Sequence, residues 1–172
     1  NRASLNAALF YMKRSDEIVQ YNQVVSEPPG SIPAQRVVTF NTNGAKTDIY
    51  GIELEGVWQA TPYLQLNGSF SYVDSTIAAF PPDASKGDFS DIFGRQANIV
   101  GQEAPRFPPI LASLGARYER PVVLASFDNW YVQGDVFYND NYWTNNANVV
   151  AAPEALDSNL RMGLQGERFG VE

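Results

Sequence analysis

At 172 residues the chain is long enough for one domain or two, and its 44% hydrophobic content suffices for an ordinary core. A net charge of -7, with no basic stripe interleaved with aromatics, argues against nucleic acid as a partner. Cysteine and histidine are both absent, which removes disulfide frameworks, thiolate and imidazole zinc sites, and the Ser-His-Asp and Cys-His nucleophile arrangements. Most familiar enzyme constellations are therefore excluded, and the expectation is a protein that is not an enzyme and holds no cofactor or metal.

The first residues, Asn1-Arg2-Ala3-Ser4-Leu5, carry neither an initiator Met nor a charged-then-apolar signal segment, and they read as the interior of a longer chain. No run approaches the roughly 18 apolar residues of a spanning helix, a criterion that leaves a spanning barrel untouched. The first strand is expected over residues 5–13, "LNAALFYMK". Along residues 50–58, Tyr50, Ile52, Leu54, Gly56 and Trp58 fall on one face, with Gly51, Glu53, Glu55 and Val57 on the other. That is the period of a strand. After the short turn "QATPY" the alternation restarts over residues 64–72, with Leu64, Leu66, Gly68, Phe70 and Tyr72 opposite Gln65, Asn67, Ser69 and Ser71, so the two runs form a hairpin.

Three further runs follow, over residues 110–119, 130–139 and 159–167. Ile110, Ala112, Leu114, Ala116 and Tyr118 alternate against Ser113, Arg117 and Glu119, while Trp130, Val132, Val136 and Tyr138 oppose Gln133, Asp135 and Asn139. In the sixth run Leu160, Met162 and Leu164 oppose Asn159, Arg161 and Gln165. No amphipathic helix is legible. Connections alternate in length: residues 14–46, 73–109 and 140–158 read as long loops, and the intervening turns are shorter. In an up-and-down meander this puts short turns at one end and long loops at the other, the asymmetry of an outer-membrane barrel. Aromatic residues edge the apolar faces, as an interfacial belt would.

Three stretches then resemble the β-barrel of a TonB-dependent outer-membrane receptor: "LNAALFYMKRSDEIVQ", "TDIYGIELEGVWQATPYLQLNGSFSYVDS" and "LRMGLQGERFGVE". The second is similar to the family's barrel hairpin, Gly-Ile/Val-Glu-x-Glu followed by a short turn and a Leu-x-Leu strand. The resemblance implies an all-β antiparallel meander forming part of a transmembrane barrel of about 22 strands, of which this chain supplies six strands and the start of a seventh. Plug domain and terminal aromatic strand have no counterpart in these residues.

By the same resemblance the protein sits in the outer membrane of a Gram-negative bacterium, with lipid outside and a plug within. It captures a ligand, typically a ferric siderophore or another metal chelate, with vitamin B12, haem and oligosaccharides as alternatives, and it imports the ligand through plug movement driven by TonB. Glu53, Glu55, Arg117, Asp135 and Arg161 are the candidates for lumen and plug contacts. Arg36, Arg95, Arg106, Tyr142 and Trp143 are the candidate ligand contacts, because arginine suits anionic chelates and exposed rings suit aromatic or sugar rings. Phe80, Phe89, Phe93 and Phe107 add to the loop aromatics.

Other motifs read as ordinary surface. The Glu53/Glu55 pair, about 7 Å apart by strand rise, suits a lumen wall better than glycoside hydrolysis. Asp83, Asp88 and Asp91 lack the spacing of a calcium loop. A soluble all-β carbohydrate-binding module with long binding loops, and a passive outer-membrane barrel, are the two competing readings.

Overall fold

The computed structural model describes residues 2–26, 28–30, 35–81, 99–124, 127–166 and 170–171, with the backbone alone at 21–24 and 171. All its regular elements are strands: β1 (Arg2–Ser26), β2 (Gln35–Thr61), β3 (Leu64–Ala79), β4 (Ile110–Leu124), β5 (Phe127–Asn139), β6 (Tyr142–Trp143), β7 (Ala151–Ala152), β8 (Ala155–Gln165) and β9 (Gly170–Val171). Seven of them form one antiparallel sheet in the order β1-β2-β3-β4-β5-β8-β9, and β6 pairs with β7 as a small ribbon inside the connection from β5 to β8. The sheet is thus the expected up-and-down meander, and it does not close on itself. Among the described residues no second sheet of comparable size covers either face, which a sandwich module would need.

One expectation fails systematically. Residues 14–46, read as a long loop, are mostly ladder, because β1 and β2 stay paired as far as Ser26 with Gln35. The β-branched residues Ile18, Val19, Val37, Val38 and Thr39 favour extended backbone. Alternation is missing because this ribbon lies beyond the multi-stranded sheet, so neither of its faces is uniformly dry: Ile18 and Val37 are exposed while Val19 is buried. The turn over residues 120–129 likewise shrinks, since β4 runs on through Pro121 to Leu124. Proline is tolerated there because β3 has already ended opposite Tyr118, at Leu64, and leaves that edge of β4 without a partner.

Register sorts the side chains without exception along the central rows. Leu54, Phe70, Ala112 and Tyr138 share one cross-strand row, and Trp58, Leu66, Ala116 and Gly134 share another, all on the apolar face. Aromatics bound this face at both ends, eight residues apart on each of two strands: Tyr50 and Trp58 on β2, Tyr138 and Trp130 on β5. Both belts drift together. Tyr138 lies in the row of Leu54, four residues past Tyr50, and Trp130 lies four residues past Gly134, the row partner of Trp58; each shift accumulates over three strand steps. With about 3.3 Å of rise per residue and about 4.8 Å between strands, level belts require strands tilted about 40°. Strands of membrane-spanning barrels tilt by about 35–45°.

The upper tyrosines reach past the belt to carboxylates. Tyr11 donates its hydroxyl hydrogen bond to Asp48 at 3.2 Å, Tyr138 lies within 3.3 Å of Asp140 and 3.2 Å of Glu154, and Tyr50 stands opposite Asp74 in the ladder. At the opposite belt, Tyr118 and Trp130 meet edge to face at 5.7 Å.

Two glycines sit where the opposite face is crowded. A Cβ on Gly51 would meet the Tyr72 carbonyl oxygen and the Phe10 ring, the latter at 2.7 Å. One on Gly115 would meet only side-chain ends, Asp135 Oδ1 at 2.6 Å and the Asn67 amide at 2.7 Å. A backbone atom cannot swing away, whereas these side chains can. Gly51→Ala is therefore expected to cost about 1–3 kcal/mol and Gly115→Ala less than about 1 kcal/mol. Equilibrium urea unfolding of the two variants measures the difference, and equal costs would contradict this packing.

Candidate functional site

The polar face carries two distinct arrangements. Lower down, toward the short turns, alternation places Arg117 and Glu119 on β4, Gln133 and Asp135 on β5, and Arg161 on β8, all pointing the same way; Arg117, Gln133 and Arg161 share one register row. The result is a chain of contacts. Arg117 donates to Glu119 Oε2 through Nε (3.1 Å) and Nη2 (3.0 Å), and through Nη1 to Gln133 Oε1 at 3.4 Å. Gln133 passes the connection on by donating to Asp135 Oδ2 at 3.1 Å, and Arg161 pairs with the same oxygen at 3.6 Å. The Arg117 guanidinium also lies 3.8 Å over the Tyr131 ring. These charges largely neutralise one another. Arg117, Asp135 and Arg161 are thus brought together as one network, and Glu53 and Glu55 stand apart from it, exposed on β2.

Higher up, the same face turns apolar. Ile49, Ile77, Val19 and Ala45 are buried there, and the returning segment 99–109 folds onto them. It does so by pairing with the free edge of β3: Ile77 N–H donates to Gln102 O at 2.9 Å, Gly101 N–H to Ile77 O at 2.9 Å, and Val73 N–H to Pro109 O at 2.9 Å. Ile99 and Ala104 then seal against Ile77, with Phe80 and Phe107 packed alongside. The connection from β5 to β8 docks on this segment in turn, through Arg106 N–H to Trp143 O at 2.8 Å and Asn148 to Gln102 at 3.1 Å.

Between these layers lies a cleft of about 590 Å³, lined by Arg14, Glu17, Phe80, Arg106, Phe107, Thr144, Asn145 and Asn146 among others. Arg14 pairs with Glu17 Oε2 at 3.2 Å, while the other oxygen, Oε1, is buried without a partner. The guanidinium of Arg106 makes no ion pair among the described residues. Its backbone occupies the left-handed region, φ 67°, which a non-glycine residue adopts only at a cost of about 1–3 kcal/mol. The cleft therefore combines one uncommitted cation, a phenyl floor and an amide rim.

Residues 1–167 match the family described as TonB dependent receptor-like, beta-barrel. The chain belongs to this family. Among solved structures its fold is similar to that of BauA, the ferric preacinetobactin receptor from Acinetobacter baumannii, with a TM-score of 0.61 at 14% identity. The match covers 96% of this chain and 21% of that one, so the chain spans about one fifth of that receptor's length. A comparison with curated protein sequences finds no match. Members of the TonB-dependent receptor family are outer-membrane receptors, not enzymes.

Within this portion of a TonB-dependent barrel, the expected ligand residues are scattered. Arg106 lines the cleft, Trp143 holds it from behind through a carbonyl, and Tyr142 sits in the β6–β7 ribbon outside the lining. Arg36 lies near the tip of the β1–β2 ribbon, opposite Val25 and away from the cleft. Arg95, with Phe89, Phe93, Asp83, Asp88 and Asp91, lies outside the described residues. Sequence reasoning missed Arg14, Glu17 and Gln133. The first two were hidden by reading 14–46 as loop. Gln133 stands on the polar side of β5 in the sequence, but its place directly opposite Arg117 is given only by the register.

Gln133 carries the link between the two arginines, since its amide both accepts from Arg117 and donates to Asp135. Gln133→Leu is expected to destabilise by about 1–2 kcal/mol by leaving part-buried charged groups short of a partner. A double-mutant cycle between Arg117 and Asp135 in the Leu background, read by urea unfolding, should then return a coupling close to zero.

Proposed function

We propose that this chain is part of the barrel wall of an outer-membrane receptor that imports a ferric siderophore or a similar anionic metal chelate, with energy supplied through TonB. The apolar face meets lipid and the polar face looks into the lumen. The observation that carries the orientation is the pair of parallel aromatic belts, whose shared drift fits strands crossing a membrane at about 40°. In that frame the short turns are periplasmic, the β1–β2 ribbon stands outside the cell, and the remaining strands and a plug complete the receptor. Glu53 and Glu55, exposed on the lumen side, suit cationic side chains on that plug.

The ligand reading rests on the cleft. It lies at the long-loop end, on the lumen side, where an incoming ligand arrives first. An arginine held at a strained backbone position and without an acidic partner among the described residues is poised for an anion from outside the chain. Phe107 and Phe80 supply an apolar floor for a flat ring, and Asn145 and Asn146 supply adaptable hydrogen bonds. A ferric chelate with carboxylate or catecholate donors presents both features. BauA, to which the fold is similar, is itself named as a ferric siderophore receptor, which supports the substrate class. An energised importer is favoured over a passive barrel because segment 99–109 and the β5–β8 connection fill the inner surface with a shaped pocket.

Two outcomes test these readings. In the complete receptor, Arg106→Glu should weaken ferric-chelate binding at least about tenfold, because it removes one charge-assisted hydrogen bond and introduces a repulsion, while Arg36→Glu changes little. Binding measured by tryptophan quenching that responds equally to both would sink the cleft assignment. For the orientation, Leu114→Arg on the apolar face should destabilise by about 2–4 kcal/mol in lipid vesicles, and Ser113→Arg on the neighbouring polar face by far less. The reverse order would exchange lumen and lipid.

A further inference from the structure

Beyond the short-turn belt, Arg120 projects from the apolar face among the described residues. Arg120 continues the apolar side of β4, two residues past Tyr118, and its register partner on β5 is Trp130. Two residues of a strand tilted about 40° put it about 5 Å beyond the belt, at headgroup level. Its guanidinium lies 4.6 Å over the ring of Tyr63, which the turn between β2 and β3 presents to it. That turn is itself fixed: Thr61 Oγ1 accepts from the N–H groups of Tyr63 and Leu64, and Glu119 N–H donates to Tyr63 O at 2.8 Å.

Arg117, three residues earlier and on the other face, is committed to Glu119, Gln133 and Tyr131. Arg120 makes no ion pair among the described residues, although Asp128 lies on the same face of β5. A cation–π contact orients a guanidinium without neutralising it, and it leaves the N–H edge free. That edge matches two phosphate oxygens. Trp130 and Tyr118, in edge contact with each other, offer an indole N–H and a phenol from the belt just inside it.

We propose that Arg120, held by Tyr63 and flanked by Trp130, binds the phosphate of an anionic glycerophospholipid in the periplasmic leaflet. The site rests on the orientation proposed above. It gives the barrel wall a fixed point at the inner rim, opposite the carboxylates Asp48, Asp140 and Glu154 that receive tyrosine hydroxyls at the outer one.

The complete receptor, titrated in non-ionic detergent with phosphatidylglycerol or phosphatidylcholine and read by native mass spectrometry, tests this. The wild type should prefer phosphatidylglycerol by about fivefold, the effect of one cation near a charged lipid surface. Arg120→Gln should abolish the preference, Tyr63→Leu should reduce it, and Tyr63→Phe should keep it, with heat-modifiable gel mobility verifying that each barrel is folded. A preference intact in Arg120→Gln would overturn the site. Displacement of the lipid by inorganic phosphate at matched concentration would overturn it too, by assigning Arg120 to a free anion. Retention of neither phospholipid by the wild type would instead overturn the orientation, a result distinguishable from loss of selectivity alone.

Discussion

The demand that every backbone N–H and C=O find a partner inside the wall governs this structure. Hydrocarbon offers no hydrogen bonds, and each orphaned group there costs several kcal/mol. Strand after strand therefore pairs edge to edge in a single sheet, and the pairing propagates wherever the chain can stay extended. Register follows from it. Once Leu54 faces Phe70 and Phe70 faces Ala112, each neighbouring row is fixed, because a slip of one residue would send every side chain to the wrong face. The polar network around Gln133 and the apolar patch around Ile77 are products of that one constraint.

The same demand explains how the loops build a pocket. β3 outlasts β4 at the long-loop end, which leaves its edge from Val73 to Ile77 beyond the reach of β4. The returning segment satisfies that edge before it becomes β4, and so it is carried across the face opposite the aromatic belts with Ile99 and Ala104 against Ile77. Trp143 and Asn148 of the next connection then dock on its outer side. The cleft is what remains between these layers and the bulged stretch of β1. No separate folding unit is needed to make it.

Much of the wall was legible in the sequence because alternation there has one cause, a dry face against a wet one. The six runs, the meander and the short turn after Thr61 follow from it directly. The β1–β2 ribbon escaped because Ile18, Val19, Val37 and Val38 stand where the two faces are no longer distinguished, so period two carries no signal even though the backbone is strand. The candidate site was only partly legible. Arg106 could be picked out by residue type and position, but its strained φ, its docking on Trp143 and its neighbours Arg14 and Glu17 are products of tertiary pairing. Arg117, Asp135 and Arg161 were readable as one polar side of three strands, whereas the glutamine joining them required the register.

The ladder between β1 and β2 is interrupted between Arg14 and Val19, where Asp16 adopts φ 54°, and the ladder between β2 and β3 shifts between Lys46 and Thr47. Both faults lie at one height, and Arg14, Glu17, Ala45 and Thr47 around them line the cleft. Above this level β2 pairs with β1 alone, so the two faults set the angle at which the projecting hairpin leaves the sheet, a knuckle placed in the pocket wall.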